Sequence, residues 1–203
     1  MANTMNGNYD ILLRKLHRFI RKYYINRMVQ GGLWFVAAFT LFFLLVNAFE
    51  YYSWSGPAVR TFIFYFYLLV NAFILFRLVI VPLFRIFRIG RVMDDEEAAM
   101  LIGRHFPEVS DKLVNTIQLK KLSEKNGTLE LLEAGIEQKT RALHPVPFLR
   151  AVDLKANRKY LKYAIPPLLV LLVLLFASPS TITEPSRRLI KHRVAFERPL
   201  PFR

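Results

Sequence analysis

Two long apolar runs separated by a handful of residues constrain this chain more than any other feature. The first is "GGLWFVAAFTLFFLLVNAFEYY", residues 31–52, and the second is "VRTFIFYFYLLVNAFILFRLVIVPLF", residues 59–84. Each exceeds the ~20 helical residues that cross a ~30 Å hydrocarbon core. The connector "SWSGP", residues 53–57, leaves room only for a tight turn, so helices built from these runs are antiparallel. Tyr51, Tyr52 and Trp54 stand at that turn, where an aromatic belt is expected. Hydrophobic residues make up 54% of the chain, yet its formal net charge is +14. A soluble basic protein disperses its apolar residues; here they gather in three blocks, which points to a membrane protein.

The third block is "YLKYAIPPLLVLLVLLFA", residues 160–177. It reaches spanning length only with Tyr160–Tyr163 included and Lys162 snorkelling to the interface. Pro166 and Pro167 fall near its start, where a kink is tolerated. A buried hairpin or re-entrant element is the alternative to a span.

Before the first block, residues 1–7 are polar and expected to be disordered. From Asp10, a plausible N-cap, Leu12, Leu16, Phe19, Ile20 and Tyr23 recur at helical spacing. Arg14, Lys15, Arg18, Arg21 and Lys22 take much of the remaining surface. Residues 1–30 therefore read as a basic amphipathic helix on a membrane surface. The alternative is a solvated helix packed on another part of the protein.

Residues 85–158 are soluble in character and predict three helices. "MDDEEAAMLIGRHF" opens with four acids, which suits a helix N-terminus. A second helix is expected to be capped near Ser110 or Asp111, with Leu113, Val114 and Ile117 inward and Gly127 as its stop. A third has Thr128 as its cap and Leu129, Leu132, Ile136 and Leu143 on one face, until "HPVPF" breaks the pattern. The core available to this segment is small, so it must pack on itself, the membrane or a partner. Residues 178–203 carry four prolines and no helical period, and read as an extended tail that could open a larger, β-rich domain.

The expected architecture is an all-α membrane protein. It comprises a transmembrane helical hairpin (31–84), a cytosolic helical insert (85–158), a third transmembrane helix (160–177) and a short extended tail (178–203). The 30-residue N-terminal flank carries six Lys/Arg and one acid, the hairpin turn carries no Lys/Arg, and Arg85, Arg88 and Arg91 follow the second run. The positive-inside rule then places the N-terminus and the insert in the cytoplasm and the tail outside. The basic tail residues Arg187, Arg188, Lys191 and Arg193 run against that rule, but translocated segments are less constrained by charge.

The basic residues define one candidate site. Arg14, Lys15, Arg18, Arg21, Lys22, Arg77, Arg85, Arg88 and Arg91 are the candidates for contact with anionic lipid headgroups. Arg77, Arg85, Arg88 and Arg91 fall on one face of a helix continued through residues 78–92. Arg77 reads as snorkelling; a buried charge on a transport path is the alternative. A second candidate site lies inside the hairpin. The string "LLVNAF" occurs twice and puts Asn47 and Asn71 in apolar surroundings. Folding the hairpin about residues 55–56 levels Asn71 with Thr40 and Asn47 with Phe64 and Tyr65. The expected pairings are Asn71 with the Thr40 level or another subunit, and Asn47 with Tyr65 or the interface.

The sequence offers little chemistry. There are no cysteines, and His17, His105, His144 and His192 are isolated, so neither a metal site nor a catalytic set is expected. No phosphate-binding glycine loop and no nucleophile elbow occurs, so no cofactor is expected. "DDEE" at 94–97 could attract a divalent cation but reads better as a solvated helix start, and His105 reads as a capping or packing residue. No nucleic-acid signature accompanies the positive charge.

"AAMLIGRHFPEVSDKLVNTIQL", residues 98–119, resembles a large bacterial inner-membrane family known only as a domain of unknown function. The run "FERPLPFR", residues 196–203, is similar to that family's entry into its periplasmic part. The resemblance implies two N-terminal spans, a cytosolic helical insert, a third span and a long periplasmic region beginning where this sequence stops. It carries no activity and no functional residues. The function expected is a non-enzymatic inner-membrane anchor or scaffold, with a protein partner at 92–158 and possible homo-oligomers. The alternative is a subunit of an oligomeric transporter or channel.

Overall fold

The computed structural model describes residues 2–87, 89, 90, 92–126, 130–143 and 145–196. These are helical almost throughout, with no strand among them. The helices are α1 (Ala2–Ser53), α2 (Pro57–Leu75), α3 (Val81–Ile86), α4 (Asp95–His105), α5 (Pro107–Asn126), α6 (Glu130–Leu143), α7 (Arg158–Ala177) and α8 (Ser180–Ile190). A π-helical turn, Phe76–Ile80, joins α2 to α3. The chain divides into two compact units, Met1–Asn26 with Leu83–Leu154, and Arg27–Pro82 with Lys155–Arg203.

The first unit closes around an apolar core. Leu12, Leu16, Phe19, Ile20 and Tyr24 from α1 are buried in one cluster with Ala98, Ala99 and Ile102 of α4 and Leu113 and Ile117 of α5. Leu143 and Phe148 complete it. The apolar stripe expected to lie on a membrane surface is therefore consumed by protein. This corrects the interfacial-helix reading of residues 1–30 in favour of its alternative, and it supplies the core that the insert lacks by itself. Tyr24 rather than Tyr23 is the fully buried aromatic, and its hydroxyl accepts from the Met93 amide at 2.9 Å. Asp10 lies inside α1, not at its cap, because the helix begins at Ala2. Extending a nucleated helix costs little, so a polar start does not stop it.

Helix α4 begins after Asp94, whose carboxylate accepts from the Asp95 amide at 2.8 Å. It ends at His105 because Phe106 precedes a proline, which disfavours helical backbone there. Pro107 then opens α5, three residues before the cap expected at Ser110. Ser110 instead packs against Gly103, where an added methyl group would collide with it. Leu113 and Ile117 face inward as expected, as do Ile136 and Leu143. Gly127, Thr128 and Leu129 lie outside the described residues, as does the side chain of Leu132.

The second unit is built the other way round. Three helical stretches, Asn8–Ser53, Pro57–Ile86 and Phe148–Ala177, are long and apolar enough to cross a membrane. Within this unit their large apolar side chains face outward: Phe62, Leu69 and Phe73 on α2 are two-thirds exposed, and Phe176 on α7 is 81% exposed. Helices α1 and α2 pack through aromatic contacts, Phe42 against Tyr67 with ring centroids 5.2 Å apart. They approach closely at Gly31, where any Cβ would collide with the Leu78 carbonyl in the π turn. Helices α1 and α7 meet where Trp34 stacks on Tyr163 at 5.2 Å and Gln30 donates to the Tyr160 hydroxyl. Pro166 and Pro167 sit inside α7 without ending it.

Two further expectations are corrected. Residues 180–190 form helix α8, not an extended tail. Ile182, Pro185, Arg188 and Leu189 are its buried face, a helical spacing hidden because two of the four are not conventional core residues. The helix through residues 78–92 stops at Ile86, and Gly90 has φ +83°, a left-handed backbone that breaks the run.

Candidate functional site

The end of the hairpin in the second unit holds a buried charge cluster. Glu50 lies one turn before the end of α1, and Arg60 in the first turns of α2. The turn between them contains Trp54 at φ +47°, uncommon for a bulky residue, followed by Gly56 and Pro57 at the start of α2. It folds Arg60 back onto Glu50, with Arg60 Nε donating to Glu50 Oε1 at 2.8 Å. Both residues are fully buried.

Helix α8 brings a second guanidinium. Arg188 is 4% exposed, and its Nη1 lies 3.8 Å from the same Glu50 oxygen, an ion pair beyond hydrogen-bonding distance. Its guanidinium carbon lies 4.0 Å from the centroid of the Trp54 ring, so a cation–π contact braces the unusual turn. Arg60 Nη1 donates to the Val194 carbonyl at 3.3 Å, and the Arg60 guanidinium lies over Phe196 at 5.1 Å. One carboxylate thus holds two cations, and Glu50 Oε2 and Arg60 Nη2 have no hydrogen-bond partner among the described residues. Burying three charges is costly unless they neutralise one another, and removing one partner strands the rest.

A polar contact adjoins the cluster. Asn47 Nδ2 donates to the Phe43 carbonyl of its own helix at 2.9 Å, and Asn47 Oδ1 accepts from the Ser186 hydroxyl of α8 at 2.7 Å. A cavity of about 110 Å³ lies beside them, reaching Phe64 and Tyr67. The His192 ring stacks on Phe64 at 4.8 Å, with neither nitrogen hydrogen-bonded among the described residues.

Two of the expected contacts, Asn47 with Tyr65 and Asn71 with Thr40, are not made within this chain. Asn47 pairs with Ser186, not with Tyr65, which is half exposed and lies edge-on to His192. Asn71 is buried, but its Nδ2 donates to Tyr67 O on its own helix at 2.8 Å and its Oδ1 has no partner among the described residues, so no bond joins it to Thr40. Thr40 is buried on α1. Ser186 escaped sequence reasoning because its helix did. The Glu50–Arg60 pair was legible: two opposite charges stand at equal distance on either side of Ser55.

The predicted lipid-contact residues separate. Arg14, Arg18, Arg21 and Arg77 are exposed. Lys15 and Lys22 are half-buried, and Lys22 Nζ donates to the Leu149 carbonyl at 2.7 Å, within the first unit's own packing. Arg85 is half-buried with its guanidinium 5.8 Å from the Tyr24 ring centroid. Arg21 and Arg85, from distant parts of the sequence, line one cleft of the first unit. Arg88, Arg91 and His144 lie outside the described residues. Among the described residues, no three His, Asp or Glu gather as metal ligands do. The acids at 94–97 are occupied as a helix start: Lys121 Nζ lies 2.8 Å from Asp94 and 3.6 Å from Glu96. The hydrogen bond from Lys121 holds the Asp94 carboxyl below its usual range, helped by the Asp95 amide. Comparison with family models, curated proteins and solved structures gives no match.

Proposed function

We propose that this chain is a non-enzymatic anchor and scaffold of a bacterial inner membrane, crossing it three times with its N-terminus in the cytoplasm. The observation that carries the reading is the opposite build of the two units. One buries its aliphatic side chains; the other exposes them and buries Glu50, Arg60, Arg188 and Asn47. Exposed apolar area on that scale suits hydrocarbon as the surrounding solvent. The helical unit then stands in the cytoplasm as the partner-facing module, and α8 with its charge cluster fastens the segment after the third span to the outer end of the hairpin. The resemblance to the inner-membrane family of unknown function supports the same arrangement. The exposed arginines would lie against anionic headgroups.

A reporter-fusion map of the full chain tests this reading. Cytoplasmic signals are expected for fusions within 92–126, and an extracytoplasmic signal after Ile190. A cytoplasmic signal after Ile190 defeats the three-span topology, and release of the protein by alkaline carbonate defeats the membrane reading altogether. A second reading, a subunit of an oligomeric transporter or channel, draws on the buried ionisable groups beside the cavity at Asn47. Flux through the purified protein in liposomes that is lost in Glu50→Gln would favour it.

A further inference from the structure

The first unit contains a cleft of about 230 Å³ lined by groups of both charge signs. His17 and Arg21 come from α1, Arg85 from α3, and Asp94 and Asp95 from the start of α4; Ile86 contributes to its apolar wall. The acids are partly matched. Asp94 is engaged by Lys121 at 2.8 Å, and Asp95 Oδ1 faces His17 Nε2 at 3.5 Å. The arginines are not matched in this way, since neither Arg21 nor Arg85 has a carboxylate within ion-pair distance among the described residues.

Two guanidiniums sharing one cleft suit a phosphoryl group, whose oxygens accept the planar fork of N–H donors. A plain phosphate, however, would also face Asp95. A ligand that carries a cation a short distance from its phosphate turns that carboxylate from a repulsive into an attractive group. Arg85 is also placed where such a ligand could come from a bilayer: it lies in the last turn of the apolar stretch Pro57–Ile86.

We propose that this cleft binds a phosphoethanolamine group, its phosphate on Arg21 and Arg85 and its ammonium on Asp95. The group can belong to a lipid headgroup or to a free molecule. The lipid source rests on the membrane reading above; the cleft chemistry does not.

The test uses the full chain in a phospholipid-free detergent and titrates four probes by calorimetry. They are short-chain phosphatidylethanolamine, short-chain phosphatidylglycerol, O-phosphoethanolamine and inorganic phosphate. The ethanolamine lipid is expected to bind about tenfold more tightly than the glycerol lipid, the size of one well-made charged contact. Arg21→Gln with Arg85→Gln is expected to weaken it by about tenfold or more, while Lys112→Gln, exposed and outside the cleft, leaves it unchanged. Asp95→Asn is expected to abolish the preference between the two lipids. Should the double variant not fold by circular dichroism, Arg85→Lys alone gives a smaller loss, since an ammonium cannot reproduce the fork. Binding of O-phosphoethanolamine as tight as that of the lipid assigns the free molecule as the source, and binding of the lipid alone assigns the headgroup. Equal affinity for both lipids, or unchanged affinity in the arginine variants, overturns the proposal. Failure of the membrane reading appears separately, as carbonate release with O-phosphoethanolamine binding intact.

Discussion

The two units of this protein use the same helices in opposite senses. In the first, Leu16, Ile102, Leu113 and Leu143 are fully buried, and the arginines at positions 14, 18 and 21 face out. In the second, Leu69, Phe73 and Phe176 face out, and Glu50, Arg60, Asn47 and Thr40 are buried. Helix α1 takes part in both, changing character near Asn26 without a break. A helix is defined by its internal hydrogen bonds and is indifferent to which face is apolar; the surroundings decide which face is hidden.

The sharpest way to break the comparison is to strip one charge from the second unit. Glu50→Ala or Arg60→Ala is expected to cost about 3–5 kcal/mol, because the partner stays buried without its counter-charge. Denaturant unfolding of the protein in micelles measures this. Replacing Glu50, Arg60 and Arg188 together by Leu or Met should recover most of that loss, and no recovery would show that the cluster has a role beyond neutralising itself.

In the first unit the costly changes are apolar truncations. Leu16→Ala or Ile102→Ala is expected to cost about 2–5 kcal/mol and to speed proteolysis of that unit. Phe73→Ala on the exposed face of α2 should leave proteolysis unaltered. Equal sensitivity at Phe73 would mean that its face is covered by protein.

Close approach gives a smaller effect. Gly31→Ala drives a methyl group into the Leu78 carbonyl and is expected to cost about 1–3 kcal/mol in thermal unfolding. The neighbouring Gly32→Ala meets nothing within 4 Å and should be neutral or slightly stabilising.

The smallest effect is the pH dependence of the first unit's surface. The Asp94 carboxyl is held below its usual range by Lys121, so its contribution is present above the unfolded value and lost as pH falls through the folded one. Lys121 is raised by the same hydrogen bond, so its contribution is complete below its ordinary value and is lost as pH rises through the folded one. Asp94→Asn should flatten the acid limb of a stability-against-pH curve. Because the pair is solvent-exposed, salt should flatten it too.

Much of the fold was legible. Apolar runs of spanning length, the tight turn at 53–57 and the burial of Leu113, Ile117, Ile136 and Leu143 follow from composition and spacing alone, and the structure contains them. The site was less so. Hairpin arithmetic about residues 55–56 levels Asn47 with Phe64 and Tyr65 and offers Tyr65 or the interface as its partner, whereas the structure pairs it with Ser186, because a third element packs there. That element, α8, was invisible because Pro185 and Arg188 occupy its buried face. That arithmetic levels Glu50 with Thr61, one residue from the Arg60 that the structure joins to it.

By itself the sequence determined which segments are too apolar to be left in water and that those runs are helical, since both follow from summed hydrophobicity and length. Tertiary structure alone decided where the amphipathic face of α1 is buried, which residue satisfies Asn47, and how one carboxylate comes to hold two arginines. Each of these depends on which distant surface arrives opposite a residue, and apolar stripes or lone polar groups have several partners of equal chemistry until packing selects one.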